Sequence, residues 1–204
     1  GYGELRLGLD RPVQNLLYLY SDVGARLIIN GHIYWGSSGS AGEIGIFAPS
    51  QDDYLKWINA PPFVLSNVWD LGLAAQAKKL IGEGHATAIQ ELVHGELDTI
   101  TLGTVLQAVQ RGDPLARELV EHAAMQLGIR IAYFVNFLNP EVVIIGGGIE
   151  QAGSMLLEPV WRAVKKYAYE EPASLVDILP AQLGENAVAL GGACWVIREV
   201  FIQA

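Results

Sequence analysis

The longest regular pattern in this 204-residue chain is an apolar stripe that recurs every three or four positions between residues 114 and 138. Residues at this spacing share one face of a helix of roughly seven turns. Asp113 followed by Pro114 is typical of an N-cap and a first helical residue, and Pro140 predicts the helix end because the residue before a proline disfavours helical backbone. Gly128 predicts close approach of a neighbouring element. The stripe comprises Leu115, Leu119, Ala123, Leu127, Ile131, Phe134 and Leu138.

A second pattern, in which apolar residues are consecutive or alternate, predicts strands. Four consecutive β-branched residues, Val142 to Ile145, are typical of a strand that is buried on both faces. Asn30-Gly31 between two apolar runs predicts a hairpin with a type I′ turn, because both central residues of that turn need a positive φ. The predicted strands are 16–20, 23–29, 32–35, 141–145 and 175–179.

Helical patterns separate these strands and complete the element order. The remaining predicted helices are 68–81, 87–93, 101–111, 153–169 and 187–201. Ser66 or Asn67 is expected to cap the first of them, and Thr101 with Thr104 is expected to start the third. Residues 47–66 contain several prolines and serines, which predicts a long loop. Strands that alternate with helices indicate an α/β layer fold.

The composition narrows the class of protein. A net charge of −9 with 13 basic residues argues against a nucleic-acid-binding face, because phosphate contacts need clustered Lys and Arg. The single cysteine, Cys194, lies in an apolar stretch, where a buried thiol in a reducing compartment is expected. Neither a membrane span nor a signal peptide is visible, so we expect a cytoplasmic protein. The first residue is Gly1 rather than a methionine, which suggests a fragment of a longer protein.

Three glycines, Gly146, Gly147 and Gly148, follow the buried strand and precede a predicted helix. In an open α/β sheet ligands bind at this edge, and phosphates favour the N-terminus of a helix. Three glycines alone are equally consistent with a nucleotide site and with a tight strand-to-helix turn. Their spacing does not match a dinucleotide fingerprint, which also needs an acidic residue about 20 positions further on.

Glu43 is the best polar candidate, in a glycine-rich segment that follows the hairpin. Its carboxylate can accept hydrogen bonds from hydroxyl groups, and the glycines let the backbone approach a small polar ligand. A carboxylate is costly to bury without partners, so Glu43 either faces a ligand or makes a structural hydrogen bond. None of the four histidines has the spacing of a zinc site, and His122 is expected at the surface or in the core. The Asp52-Asp53 pair is interpreted as a solvated turn.

Together these motifs resemble the ROK family, named for repressors, open reading frames and sugar kinases. The resemblance implies an actin-like, ribonuclease-H-like α/β fold, normally built from two lobes with the sugar in the cleft between them. Residues 1–204 would form the C-terminal lobe, and the N-terminal lobe and a helix-turn-helix head would lie outside this chain. The sugar contacts would fall on Gly42, Glu43 and Gly45. The matching segments are Asn30-Gly31, Tyr34 to Gly36, Ser40 to Gly45, Arg111 to Ala116, Val142 to Ile149, Leu183 to Ala187 and Gly191 to Ala193.

Three departures from the family pattern argue against kinase activity. Tyr20-Ser21-Asp22 stands where family kinases carry a glycine–threonine–glycine phosphate loop, and the charge of Asp22 would oppose a triphosphate. Ile46 stands where the family has a sugar-contacting histidine. Residues 47–66 hold no Cys or His for the family's zinc, so we predict no zinc. The family's catalytic aspartate would fall upstream of residue 1, which leaves no catalytic residue in this chain.

The sequence therefore predicts the sugar-sensing effector domain of a ROK-type transcriptional regulator, without kinase activity and without a cofactor. Its expected partners are a sugar or sugar derivative and a second copy of the chain, with DNA contacted only by a segment upstream. The alternative is an ATP-dependent sugar kinase, in which the glycines at 146–148 approach ATP–Mg²⁺. A third interpretation is a purely structural dimerisation module built on the helix over 114–138.

Overall fold

The computed structural model describes residues 2–20, 24–44 and 72–201. Within these residues the chain forms a five-stranded mixed sheet with the strand order β3-β2-β1-β4-β5. The central strand β1 pairs antiparallel with β2 and parallel with β4, and β5 lies parallel to β4. The strands are β1 Leu16–Tyr20, β2 Gly24–Ile29, β3 His32–Ile33, β4 Val142–Gly146 and β5 Asp177–Pro180.

The hairpin between β2 and β3 confirms the prediction of a type I′ turn. Asn30 and Gly31 have φ values of 52° and 74°, and positive values at both central positions define this turn. The third strand is shorter than predicted, because it ends at Ile33 rather than at residue 35. Beyond it, the Tyr34 N–H still donates to the Leu27 carbonyl oxygen at 2.9 Å, so the following segment starts along the edge of β2.

Helices cover both faces of this sheet. In the described part of the chain they are α1 Leu73–Gly82, α2 Ala88–Leu92, α3 Leu102–Gln110, α4 Pro114–Leu138, α5 Ser154–Tyr167, α6 Glu170–Leu175 and α7 Ala187–Phe201. Three 3₁₀ turns, Leu97–Thr99, Ile149–Ala152 and Gly184–Asn186, and a π-helical turn, Glu4–Gly8, complete the order. The pattern of helices is therefore close to the one that hydrophobic spacing predicts.

Other predicted boundaries are wrong as well. The helix expected from residue 68 begins at Leu73, because Gly72 has a φ of 67° and lies outside helical backbone. The strand expected from residue 175 begins at Asp177, because 170–175 form α6. With six residues α6 is too short to show a helical period. The expected caps Ser66 and Asn67, Asp52-Asp53, and the loop over 47–66 lie outside the described residues.

The sheet separates two apolar cores, because successive side chains of a strand point to opposite faces. Leu17 and Leu19 of β1 pack against α1 to α5 in the larger core, whereas Leu16 and Tyr18 belong to a smaller core beneath the N-terminal turn and α7. All five residues of β4 are buried, which confirms the predicted doubly buried strand. Cys194 on α7 is half-buried rather than fully buried, and His122 lies exposed on α4.

Asp113 connects the starts of two helices. Its Oδ1 accepts a hydrogen bond from the Ala116 N–H at 2.7 Å, which confirms the predicted N-cap of α4. Its Oδ2 accepts from the Ala88 N–H at 2.7 Å and from the Thr87 hydroxyl at 3.0 Å at the start of α2. Because helix N-termini have unpaired N–H groups, a single carboxylate here satisfies both ends.

Candidate functional site

The two segments that the sequence proposes as functional flank the carboxyl end of β1. Tyr20, the last residue of β1, pairs with Gly24 of β2 on one side and with Gly146 of β4 on the other. Gly42 packs against the start of β2, since its carbonyl oxygen would lie 2.9 Å from a Cβ at Gly24. The fold therefore brings the glycine-rich segment after the hairpin and the glycines after β4 to the same edge of the sheet.

Gly42 has a structural reason to be glycine. Its φ is 97°, and a Cβ at this position would lie 2.1 Å from the Ala25 carbonyl oxygen. Its own carbonyl oxygen accepts from the Ala25 N–H at 2.7 Å and from the Ile44 N–H at 2.8 Å. Nearby, the Arg26 guanidinium donates to the Ala41 carbonyl oxygen at 3.1 Å. These bonds hold the segment against β2 and present the next residue, Glu43, at the surface.

The Glu43 side chain is exposed. The cost of burying this carboxylate does not arise, because the backbone around Glu43, rather than its side chain, packs on the sheet. An exposed carboxylate retains its acceptor capacity for hydroxyl groups. Gly45, the third predicted sugar contact, lies outside the described residues.

The glycine turn after β4 is tight on both sides. A Cβ at Gly146 would lie 2.8 Å from the Tyr18 hydroxyl and 3.0 Å from the Ala181 Cβ, so packing requires glycine there. Gly147 and Gly148 have φ values of 93° and 102°, which glycine adopts readily. The Gly148 N–H donates to Glu150 Oε2 at 2.7 Å. A carboxylate of the chain itself therefore occupies one of the N–H groups that a phosphate would need.

Two buried polar residues near this edge escaped the sequence analysis. Glu4 is 1% exposed, and its carboxylate accepts from the Gln182 N–H at 3.0 Å and the Leu183 N–H at 2.9 Å, which ties the N-terminal turn to the loop after β5. Tyr18 is 4% exposed, and its hydroxyl has no hydrogen-bond partner among the described residues. Burial raises the pKa of the Tyr18 phenol, and the charge of Glu4 raises it further. In the sequence, the only sign of these two buried residues was a single glutamate in front of Leu5.

An apolar cavity of about 290 Å³ lies between β1, β2, β3 and α7. We call it the aromatic cavity because five of its lining residues carry aromatic rings. Trp35 from the hairpin and Trp195 from α7 meet edge to face, with ring centroids 5.9 Å apart. The cavity is lined by Tyr2, Tyr18, Tyr20, Gly24, Ala25, Arg26, Ile28, Ile33, Trp35, Ala187, Val188, Gly191, Gly192 and Trp195. Single aromatic residues scattered over 194 positions give no sequence signal for such a cavity.

The mixed sheet with helices on both faces is the actin-like ATPase fold of the sugar kinases. A glucokinase from Streptomyces griseus, solved with glucose and AMPPNP, superposes with a TM-score of 0.78 at 24% identity, over 97% of this chain and 65% of that one. A transcriptional regulator homologous to the E. coli MLC protein superposes with a TM-score of 0.75 at 21% identity, over 95% of this chain and 48% of that one. The fold predicted from the sequence is thereby confirmed.

The chain belongs to the ROK family, whose family model matches residues 82–199. A glucokinase from Halalkalibacterium halodurans is 31% identical over 97% of this chain and 60% of its own length. A xylose repressor from Caldicellulosiruptor bescii is 29% identical over 97% of this chain and 50% of its own length. The chain thus spans about half the length of the curated relatives it matches, and these include both kinases and repressors.

None of the helices in the described residues is long and apolar enough to cross a membrane. The segment in which the family's zinc ligands would lie falls outside those residues. The absence of zinc therefore stays a prediction from the sequence.

Proposed function

We propose that this chain is the sugar-sensing part of a cytoplasmic ROK-type transcriptional regulator and that it does not transfer phosphate. The observation that carries the proposal is the contact between Glu150 and the Gly148 N–H at 2.7 Å. A nucleotide phosphate at this turn would have to displace a carboxylate and would then face its negative charge. Phosphate transfer needs preorganised N–H donors, and at this turn the Gly148 N–H is already bonded to a carboxylate.

Tyr20 supports the same conclusion from the other side of the edge. Its Cα pairs with Gly146 across β1 and β4, and its half-buried ring lies beside that of Tyr18 with centroids 5.9 Å apart. A bulky ring thus lies at the end of β1, on the sheet face that carries Tyr18 and the aromatic cavity. In our proposal this ring hinders a phosphate that approaches the backbone at the end of β1.

The effector that we propose is a sugar or sugar derivative bound at Gly42, Glu43 and Gly45. Gly42 fixes the segment on β2, and the exposed Glu43 carboxylate offers acceptors for sugar hydroxyls. One of the relatives is named a xylose repressor, which supports a sugar as the effector in our proposal. In our proposal, an N-terminal lobe closes over the sugar, and an upstream helix-turn-helix segment alone contacts DNA. The chain's net charge of −9 agrees with that division.

A sugar kinase is the second candidate. The glucokinase relative aligns with 97% of this chain at 31% identity, and Gly147 and Gly148 adopt the positive φ values of a close backbone approach. In that case ATP–Mg²⁺ would be the cofactor beside Gly146 to Gly148. A catalytic aspartate would have to come from outside this chain, because phosphoryl transfer needs a group that accepts the proton of the hydroxyl.

A homodimer is the third part of the proposal. Four exposed rings form a surface that we call the aromatic patch: Tyr133, Phe137, Tyr167 and Tyr169, which are 64%, 74%, 47% and 75% exposed. The rings of Tyr133 and Phe137 stack with centroids 6.3 Å apart. Contiguous exposed apolar surface of this kind typically marks an interface.

Asn136 holds the two parts of the aromatic patch together. Its side-chain amide donates to the Tyr167 carbonyl oxygen at 3.3 Å and its Oδ1 accepts from the Tyr169 N–H at 2.8 Å. The adjoining sequence carries charges of both signs, at Lys165-Lys166 and at Glu170-Glu171. In a twofold dimer, the basic pair of one copy would face the acidic pair of the other. Such an arrangement would make the surface self-complementary.

Thermal unfolding of the full-length protein against sugars, sugar phosphates and ATP–Mg²⁺ tests the proposed function. A ligand at 100 times its dissociation constant stabilises a protein by about 2.7 kcal/mol, which gives a clear shift. We expect a shift with a sugar and none with ATP–Mg²⁺. A shift with ATP–Mg²⁺, together with phosphate transfer to a sugar, would establish the kinase instead. No shift with any ligand would favour a structural dimerisation module.

A further inference from the structure

The lining of the aromatic cavity exposes much more apolar than polar surface. Among its lining residues in the described part of the chain, Arg26 alone is charged. Its guanidinium already donates to the carbonyl oxygens of Ala25 and Ala41, at 3.2 and 3.1 Å. The hydroxyls of a sugar in this cavity would lose their water without gaining enough partners. An apolar ring suits a cavity of about 290 Å³ with aromatic walls.

The cavity adjoins the segment that carries Glu43. Ala25 and Arg26 line the cavity, and both bind the backbone of that segment, Ala25 through Gly42 and Arg26 through Ala41. Trp35 lies at the cavity and accepts from the Ala41 N–H at 3.1 Å through its carbonyl oxygen. The short chain between Trp35 and Glu43 therefore runs from the aromatic cavity to the proposed sugar contact.

We propose that the aromatic cavity binds the apolar aglycone of a glycoside whose sugar ring lies at Glu43. This inference rests on the proposed sugar-sensing function and narrows the effector from sugars in general to glycosides with an apolar or aromatic group. The aglycone would pack against the rings of Trp35 and Trp195, which are 49% and 38% exposed without it. Binding would cover both rings and add contact between the hairpin and α7.

The two variants that test this inference change the cavity and leave the Glu43 segment unaltered. Gly192→Leu adds a side chain to a cavity-lining position on α7, and its Cβ meets no atom within 4 Å. Trp195→Ala removes an aromatic wall. The matched control is Gly82→Leu, at the last residue of α1, where an added Cβ also meets nothing within 4 Å.

The measurement is titration calorimetry of the full-length protein with paired methyl and phenyl β-glycosides of glucose and of xylose. For the sugar that binds, we expect the phenyl glycoside to have a dissociation constant about tenfold lower or more, because the ring is buried. Gly192→Leu or Trp195→Ala should bring this ratio close to one and leave the methyl glycoside's affinity within about twofold. Gly82→Leu should keep the full ratio.

Three results would overturn the inference and leave the sugar-sensing function standing, and two of them concern the phenyl advantage. One is equal affinity for methyl and phenyl glycosides in the natural protein, which would mean that other parts of the full chain fill the cavity. The other is a phenyl advantage that both cavity variants retain, which would place the ring elsewhere. If neither kind of glycoside binds while a non-glycosidic sugar does, the aglycone inference alone fails. If no sugar compound binds at all, the sugar-sensing proposal fails as well.

Discussion

Tyr18 places a phenolic hydroxyl in an apolar interface, under the glycine turn that follows β4. The hydroxyl has no hydrogen-bond partner among the described residues, and the missing side chain of Gly146 leaves the room that it occupies. An unpaired buried hydroxyl costs about 1–3 kcal/mol of stability. The Tyr18 ring itself fills space in the smaller core. Its apolar atoms therefore stabilise the fold, whereas its unpaired hydroxyl destabilises it.

We expect Tyr18→Phe to stabilise the chain by about 1 kcal/mol near neutral pH, since it removes the unpaired hydroxyl and keeps the ring. The raised pKa of Tyr18 also predicts a pH dependence. An unfolded tyrosine loses its proton near pH 10 while the folded one keeps it, so the stability from this group is complete below about pH 10 and falls above it. Denaturant unfolding from pH 7 to 11 measures both effects.

The control for this prediction is Tyr133→Phe, because Tyr133 is 64% exposed. It should change neither the stability at neutral pH nor the difference between the two pH limits. A Tyr18→Phe variant that is less stable than the natural chain at neutral pH would show that the hydroxyl has a partner. An alkaline decrease that the variant retains would show that Tyr18 does not cause it.

Glu43→Ala tests the proposed sugar contact at the scale of one carboxylate. Because the Glu43 side chain is exposed, the substitution should change the free energy of unfolding by no more than about 0.5 kcal/mol. The same variant should lose the sugar-induced melting shift. Glu96→Ala, at another exposed glutamate, is the matched control and should keep the shift. A full shift in Glu43→Ala would remove this residue from the site.

At the scale of elements, the contact between α4 and α5 depends on Gly128. A Cβ at this position would lie 2.6 Å from the Ala163 Cβ and 2.7 Å from the Val160 carbonyl oxygen. The two helices therefore pack closer together than any side chain at position 128 would allow. This confirms the close approach that a glycine within the apolar stripe predicts. Backbone and Cβ atoms cannot rotate away, so the helices would have to separate to admit a methyl group.

Gly128→Ala should destabilise the chain by about 1–3 kcal/mol, because overpacking outweighs the gain in helix propensity. Gly192→Ala in the middle of α7 is the matched control, since an added Cβ there meets nothing within 4 Å. It should stabilise the chain by about 0.5–1 kcal/mol through propensity alone. Thermal unfolding of the two variants and of the natural chain measures whether each substitution lowers or raises the stability. Equal effects in the two helices would contradict a tight contact at 128.

At the scale of the whole molecule, the proposed homodimer would associate through the aromatic patch. Phe137→Glu puts a charge into the aromatic patch, where the Phe137 side chain is 74% exposed. The substitution should therefore dissociate a homodimer without unfolding the monomer. Sedimentation equilibrium over a concentration series measures the change. Gln107→Glu adds the same charge on α3, away from the patch, and should leave the association constant unchanged. A dimer that survives Phe137→Glu must use another surface.

Elements and their ends were largely predictable because their causes are local. The Asn30-Gly31 turn needs only two residues that tolerate positive φ, and the stripe on α4 needs only spacing. Thr101 and Thr104 exchange hydrogen bonds at the start of α3, as the sequence suggested. The six-residue helix α6 was missed because fewer than two turns show too little hydrophobic periodicity. The irregular backbone at Gly72, with its positive φ, was missed as well.

The candidate site was predictable only in part, because the residues that surround it come from segments far apart in the sequence. The sequence by itself determined the α/β class, the family resemblance and the two glycine segments, since each rests on short motifs and residue spacing. Tertiary structure alone decided that Asp113 caps a second helix, that Glu4 binds the loop after β5, and that Trp35 meets Trp195. These contacts join residues between 25 and 179 positions apart. Packing over such separations has no counterpart in a local pattern, and that is why the contacts became visible only in the fold.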